Sequence, residues 1–238
     1  MKIACWSGPR NISTALMRSW SSRKDTVVID EPFYAYYLKK TKLKHPMHTE
    51  IMKIYSTDKK FLIKYLTSTN PQNSKIWYQK HMAHHILNFD KLDFLLLMEN
   101  TFLIRHPRKV ISSYAKKNEL ISENELGYKH QEKLINYLSA NKKEFTIIDA
   151  DKLLQNPTSM IKNWCEKINI KFDTRMLKWE NGYHHYDGIW AKHWYDSVIK
   201  TKTFQKKQSK TIDPIAEKYR EIYDNSIKIY DKMLGMSL

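Results

Sequence analysis

The sequence predicts an α/β fold: a three-layer sandwich in which helices cover both faces of a central parallel sheet of about five strands. Three observations carry that expectation. Short runs of β-branched and aromatic residues recur at intervals, helical periodicity fills the gaps between them, and the first run ends in a turn that leads straight into a helix.

The strands are expected at 2–6, 26–30 (TVVID), 76–79 (IWYQ), 101–105 (TFLIR) and 145–149 (FTIID). Between them, Ile12, Ala15, Leu16 and Trp20 mark a helix over 11–23, and further helices are predicted over 108–117, 123–140 and 158–168. Residues 182–214 are rich in Trp, Tyr, His and Lys with little periodicity, after which an amphipathic helix over 215–233 closes the chain. No period of 20–50 residues recurs and no linker interrupts the text, so 1–238 reads as one domain.

At 238 residues, with 42% hydrophobic and 28% charged, the chain is long enough to bury a core and too apolar for a disordered tail. Its longest apolar stretch runs from Phe94 to Met98, far short of the roughly 18 residues a membrane span needs. The first residues enter a strand rather than a signal peptide, so a soluble, cytoplasmic protein with no membrane partner is expected. Two cysteines, Cys5 in a strand and Cys165 in a helix, suit buried thiols better than a disulfide framework. The net charge of +16 favours phosphates, sulfates, nucleic acids or anionic membranes without choosing among them. Only 5 glycines occur, so each is expected where the backbone demands one, and Gly8 is the first.

The turn after the first strand reads Gly8, Pro9, Arg10, Asn11, Ile12, Ser13, Thr14. A helix N-terminus at the C-terminal edge of a parallel sheet offers free N–H groups and a positive dipole end to an anion. Arg10 adds a forked cation, and Ser13 and Thr14 add hydroxyls, although such a pair taken alone is more often a helix cap. The loop lacks the lysine and second glycine of a nucleoside-triphosphatase loop, which argues against a phosphotransferase. A second anion motif follows the fourth strand, where Arg105 ends the strand, Pro107 starts a helix and Ser113 lies two turns along it.

These motifs resemble the signatures of the sulfotransferases, which move a sulfuryl group from 3′-phosphoadenosine-5′-phosphosulfate to an acceptor. Pro9 to Thr14 is similar to P-[KR]-S-G-[ST]-T, with Ile12 in place of the turn glycine, and Arg105, Pro107 and Ser113 match R-x-P-x-x-x-x-x-S. Residues 145–173 are similar to the family's strand-helix segment near the end of its core. Asp30-Glu31-Pro32-Phe33-Tyr34 and Tyr186-Asp187-Gly188-Ile189-Trp190-Ala191 look like the subgroup labelled branched-chain aminotransferase-like.

The resemblance implies a P-loop nucleoside triphosphate hydrolase-like sheet and a donor held without metal. Gly8 to Thr14 would hold the 5′-phosphosulfate, with Arg10 countering charge on the leaving group, and Arg105 and Ser113 would grip the 3′-phosphate. Among Lys200, Lys202, Lys206, Lys207 and Lys210, a solvated loop by default, some would close over that phosphate. Two residues are candidates for the general base, Glu31 first and His81 second, and Lys80 either aids the transferring oxygens or is solvated. His81, His84 and His85, at helical spacing, carry no zinc pattern. Trp77, Trp190, Trp194 and Tyr195 are assigned to core or pocket wall, and the small hydroxyl or amine acceptor to stretches 34–49 and 182–195. The alternatives are a kinase-like phosphotransferase and a basic nucleotide- or nucleic-acid-binding protein without catalysis, although no nucleic-acid signature appears.

Overall fold

The structure, a computed structural model, describes residues 1–116, 120, 122–205 and 214–238. The strands are β1 (Lys2–Ser7), β2 (Thr26–Asp30), β3 (Ile76–Met82), β4 (Glu99–Ile104) and β5 (Phe145–Asp149). They form one parallel sheet in the order β2-β3-β1-β4-β5. The helices are α1 (Ser13–Ser21), α2 (Tyr34–Thr41), α3 (His48–Ile54), α4 (Lys59–Thr67), α5 (Pro107–Ala115), α6 (Tyr128–Ala140), α7 (Ala150–Gln155), α8 (Pro157–Lys167), α9 (Ala191–Trp194) and α10 (Arg220–Leu234).

Alternation along β1 divides the core into layers. Ala4 and Trp6 face a cluster completed by α4, α5, α6 and α10, through Leu66, Val110, Leu134 and Met233. Ile3 and Cys5 face the opposite side, where Leu16 and Trp20 of α1 and Ile161 and Trp164 of α8 pack. A third cluster joins α2 and α3 to Trp190, Ala191 and Tyr195 over the C-terminal end of β2. Every β1 residue from Ile3 to Ser7 is buried, as a central parallel strand covered on both faces requires.

Several boundaries differ from the sequence reading. The single helix expected over 123–140 is a short 3₁₀ turn (Glu123–Leu126) and α6, parted by Gly127 at φ 78°. The closing helix begins at Arg220, after a 3₁₀ turn at Glu217–Tyr219. α2, α3 and α4, not anticipated individually, fill the stretch between β2 and β3. Both cysteines are buried and free, and burial pushes the Cys5 thiol up to about 12. Among the described residues no helix is long and apolar enough to cross a membrane.

Gly8 shows why glycine stands after β1. A Cβ there would lie 2.1 Å from the Leu126 carbonyl oxygen, because the Leu126–Gly127 turn crosses directly over the loop.

Candidate active site

β1 lies at the centre of the sheet, between β3 and β4, and the crevice at the strands' C-terminal edge is where parallel α/β sheets take ligands. A cavity of about 870 Å³ opens there. Its lining includes Pro9, Arg10, Ile12, Ser13 and Thr14 from the first motif and Arg105 and Ser113 from the second.

The loop before α1 is bent by residues that are not glycine: Arg10 (φ 62°) and Ile12 (φ 59°) both adopt the left-handed region. Alternation of that kind curls successive N–H groups inward. Among the described residues no side chain caps α1, because its N-cap residue is Ile12 and the amide of Asn11 is spent on the Leu103 carbonyl (3.1 Å). The cap reading of Ser13 and Thr14 therefore does not describe this helix. Ser13, Thr14 and Ala15 of its first turn line the cavity, and among the described residues no side chain accepts from their N–H groups, an end that an anion satisfies.

The two motifs meet side by side. Arg10 donates through Nε to Ser113 Oγ (2.9 Å), and Arg105 donates to the Arg10 carbonyl (2.8 Å). Burial and the neighbouring Arg105 charge both lower the Arg10 pKa, the sign expected of two cations gathered with too little anion between them. Among the described residues Arg105 Nε is buried without a hydrogen-bond partner, its ion-pair contact to Asp151 being 3.8 Å. Lys109 reaches the same Asp151 at 3.0 Å, and both line the cavity, although neither stood out in the sequence. Arg10 thus leans toward the second motif rather than toward the N-terminus of α1.

The sharpest electrostatic feature lies at the other end of the crevice. Lys80 is fully buried, and its Nζ meets Asp30 Oδ1 at 2.8 Å, Glu31 Oε1 at 2.5 Å and Tyr195 Oη at 2.8 Å. Burial works to remove the lysine proton, but Asp30, Glu31 and Tyr195 outweigh it and hold Lys80 well above its ordinary pKa. Burial also raises Glu31, with Lys80 opposing the rise and Asp30 adding to it. The Glu31 backbone, at φ 41° before Pro32, is strained, and its N–H bonds the Lys80 carbonyl at 2.9 Å. All three lysine donors are engaged with Asp30, Glu31 and Tyr195, so Lys80 is not solvated and has no donor left for a further oxygen.

His81 is placed differently from what the sequence suggested. Side chains alternate along β3, so Lys80 and Met82 turn to the cavity while His81 turns into the core, stacked on Trp6 at 4.2 Å. Burial lowers its pKa to about 3, and it does not line the cavity. His84 and His85 sit in a 3₁₀ turn (Ala83–His85), not on the helix face that their spacing with His81 suggested. They line the cavity with His45, Tyr34, Tyr37 and Trp194. Tyr34 and Tyr37 both stack with His85, at 5.0 and 4.7 Å, and burial holds His84 at about 3 and His85 well below its ordinary value. Among the described residues no group of three or more His, Cys, Asp or Glu is arranged to hold a metal ion. Trp77 and Trp190 are core, Lys200 lines the cavity and Lys202 does not. Lys206, Lys207 and Lys210 lie outside the described residues.

Comparison with known proteins bears on the whole of this arrangement. A family model described as "Sulfotransferase domain" matches residues 1–234. The chain belongs to the sulfotransferase domain family. It is similar to two curated Arabidopsis thaliana proteins, "Branched-chain-amino-acid aminotransferase-like protein 2" (32% identical, covering 87% of this chain and 36% of the relative) and "Branched-chain-amino-acid aminotransferase-like protein 1" (30%, 96% and 41%). The sulfotransferase-family chain therefore spans about two fifths or less of those relatives' length. In fold it is similar to the "Sulfotransferase Domain from the Synechococcus PCC 7002 Olefin Synthase" (TM-score 0.59, 13% identity, 97% of this chain and 94% of that one). It is likewise similar to the "Sulfotransferase Domain from the Curacin Biosynthetic Pathway" (TM-score 0.57, 16%, 94% and 96%). The three-layer architecture expected from the sequence is the one these domains share.

Proposed function

We propose that this sulfotransferase-family chain transfers a sulfuryl group from 3′-phosphoadenosine-5′-phosphosulfate to a hydroxyl or amine of a small acceptor, with Glu31 as general base. What supports the reading is that one cavity is lined by both anion motifs and by a buried carboxylate raised above its ordinary pKa.

The residues present fit such a donor. The uncapped N-terminus of α1, with Ser13 and Thr14, suits one anionic end, and Arg105, whose Nε lacks a partner, suits the other together with Ser113 and Arg10. Lys200 stands at the cavity wall as a further cation. When bound, the donor supplies an activated sulfuryl group whose transfer builds less charge than phosphoryl transfer, so fixed cations suffice where a kinase needs magnesium. Glu31 takes the acceptor's proton, and Lys80 keeps that carboxyl ionised and aimed until it does so. Tyr34, Tyr37, His45, His84 and His85 form the acceptor wall, and burial, by disfavouring the protonated imidazoles of His84 and His85, makes these two weak bases and leaves that role to Glu31.

The test is donor turnover over a panel of phenols, alcohols and amines, read as release of 3′,5′-adenosine bisphosphate. Glu31→Gln is expected to lower turnover by roughly 10²–10⁴-fold with little change in donor affinity. Wild-type turnover in that variant would remove Glu31 from the reaction, and release of ADP from ATP with magnesium would favour the phosphotransferase alternative.

A further inference from the structure

Tyr195 lies 165 residues from Asp30 in sequence, yet its hydroxyl donates to Asp30 Oδ2 at 2.6 Å while accepting from Lys80 Nζ at 2.8 Å. Asp30 Oδ2 also accepts from the Gly188 N–H at 3.1 Å. One stretch of chain, 188–195, therefore reaches across the end of β2 and fixes the aspartate that shares the lysine with Glu31. The tyrosine is 4% exposed and the lysine is wholly buried, so a partner lost from this circuit is costly to replace.

We infer that Tyr195 is a positioning residue for the base: by holding Asp30 and Lys80 in one arrangement, it decides how much of the lysine's charge is spent on Glu31. The inference rests on the reading of Glu31 as the base. Two carboxylates compete for one ammonium, and the Tyr195 hydroxyl tips the competition by taking up part of Asp30's charge at Oδ2. Without that donor, Asp30 draws more strongly on Lys80, Glu31 loses cationic support, and the base holds its proton to higher pH. The groups facing Glu31 are Lys80 from β3, Asp30 at the end of β2, Tyr34 from α2 and Tyr195 beyond α9, and Lys80 is the cation among them.

Two variants move the acidic limb of the pH profile of kcat/KM in opposite directions. Tyr195→Phe is expected to move it up by about half a pH unit or more, with the plateau rate within about threefold of wild type. Asp30→Asn removes the competing anion and is expected to move the limb down. A purely structural role for Tyr195 predicts lower activity at every pH with the limb unmoved, and that result overturns the inference. The carbon-13 carboxyl signal of Glu31, assigned by its loss in Glu31→Gln, is followed in parallel without substrate. A signal that titrates identically in wild type and Tyr195→Phe refutes the coupling. A signal that shifts as expected while turnover ignores Glu31→Gln refutes the base reading instead, and so separates the two failures.

Discussion

Replacing Lys80 by methionine removes the cation that two buried carboxylates share while keeping most of the side-chain volume. Asp30 Oδ1 and Glu31 Oε1 each take their charged hydrogen bond from this one ammonium, and Asp30 keeps Tyr195 and the Gly188 N–H on its other oxygen. Breaking a buried pair by deleting one partner costs about 3–5 kcal/mol. At roughly 2–4 °C per kcal/mol for a chain of this size, the melting temperature should fall by about 6–20 °C at pH 8. The deficit should also depend on pH. Without the lysine, a carboxyl here has a folded-state pKa raised above its unfolded value of about 4–4.5, so the folded form binds the proton more tightly. Stability of the variant relative to wild type is therefore expected to recover as pH falls from 8 toward about 5. Differential scanning fluorimetry across that range reads the gap directly. A gap of constant size at every pH would mean that Lys80 contributes packing and no charge compensation, and the account of Glu31 would fail with it.

Three other perturbations have definite outcomes. Gly8→Ala drives a methyl to within 2.1 Å of the Leu126 backbone oxygen and is expected to cost at least about 1–3 kcal/mol and weaken donor binding, whereas Gly182→Ala, with open space around it and φ 98°, should cost about 1–2 kcal/mol and leave binding intact; chemical denaturation and calorimetric titration separate them. Asp187→Ala strands the fully buried Arg18, whose NH2 it holds at 2.6 Å, and should lower the melting temperature by about 6–20 °C without moving the pH profile of turnover. His81→Asn, which leaves the cavity wall untouched, should change kcat by less than about threefold near neutral pH; a loss as large as that of Glu31→Gln would return the base assignment to His81.

The sheet was legible because each strand is a short run of apolar residues, β-branched or aromatic in most, in a chain whose helices are amphipathic, and burial on both faces keeps such runs largely free of charge until their ends. Lys80 and His81 show the limit of that reading. The run's end was visible, but period two sends adjacent residues to opposite faces, and which of the two faces the crevice depends on where β3 pairs with β1. α2 and α3 carried little start signal, since their N-cap positions are Phe33 and Met47 with no capping side chain. Asp58, which caps α4 by accepting from Lys60 N and Phe61 N, was a signal available in the text. Gly127, a lone glycine inside a periodic run, marks a break rather than a tolerated helix residue. Both anion motifs were readable as local strings. Tyr195, Lys109 and Asp151 were not, because their roles come from contacts made across the sheet edge, with no spacing to betray them.

On the proposed function, the first and second motifs together hold a molecule phosphorylated at both ends of an adenosine. Thermal shift with 3′,5′-adenosine bisphosphate against ATP with magnesium tests it directly. The bisphosphate is expected to stabilise the protein, by about 2.7 kcal/mol or roughly 5–11 °C at a hundred times its Kd, and Arg105→Ala to abolish the shift. A larger shift with magnesium ATP, or a shift unchanged by Arg105→Ala, would contradict it.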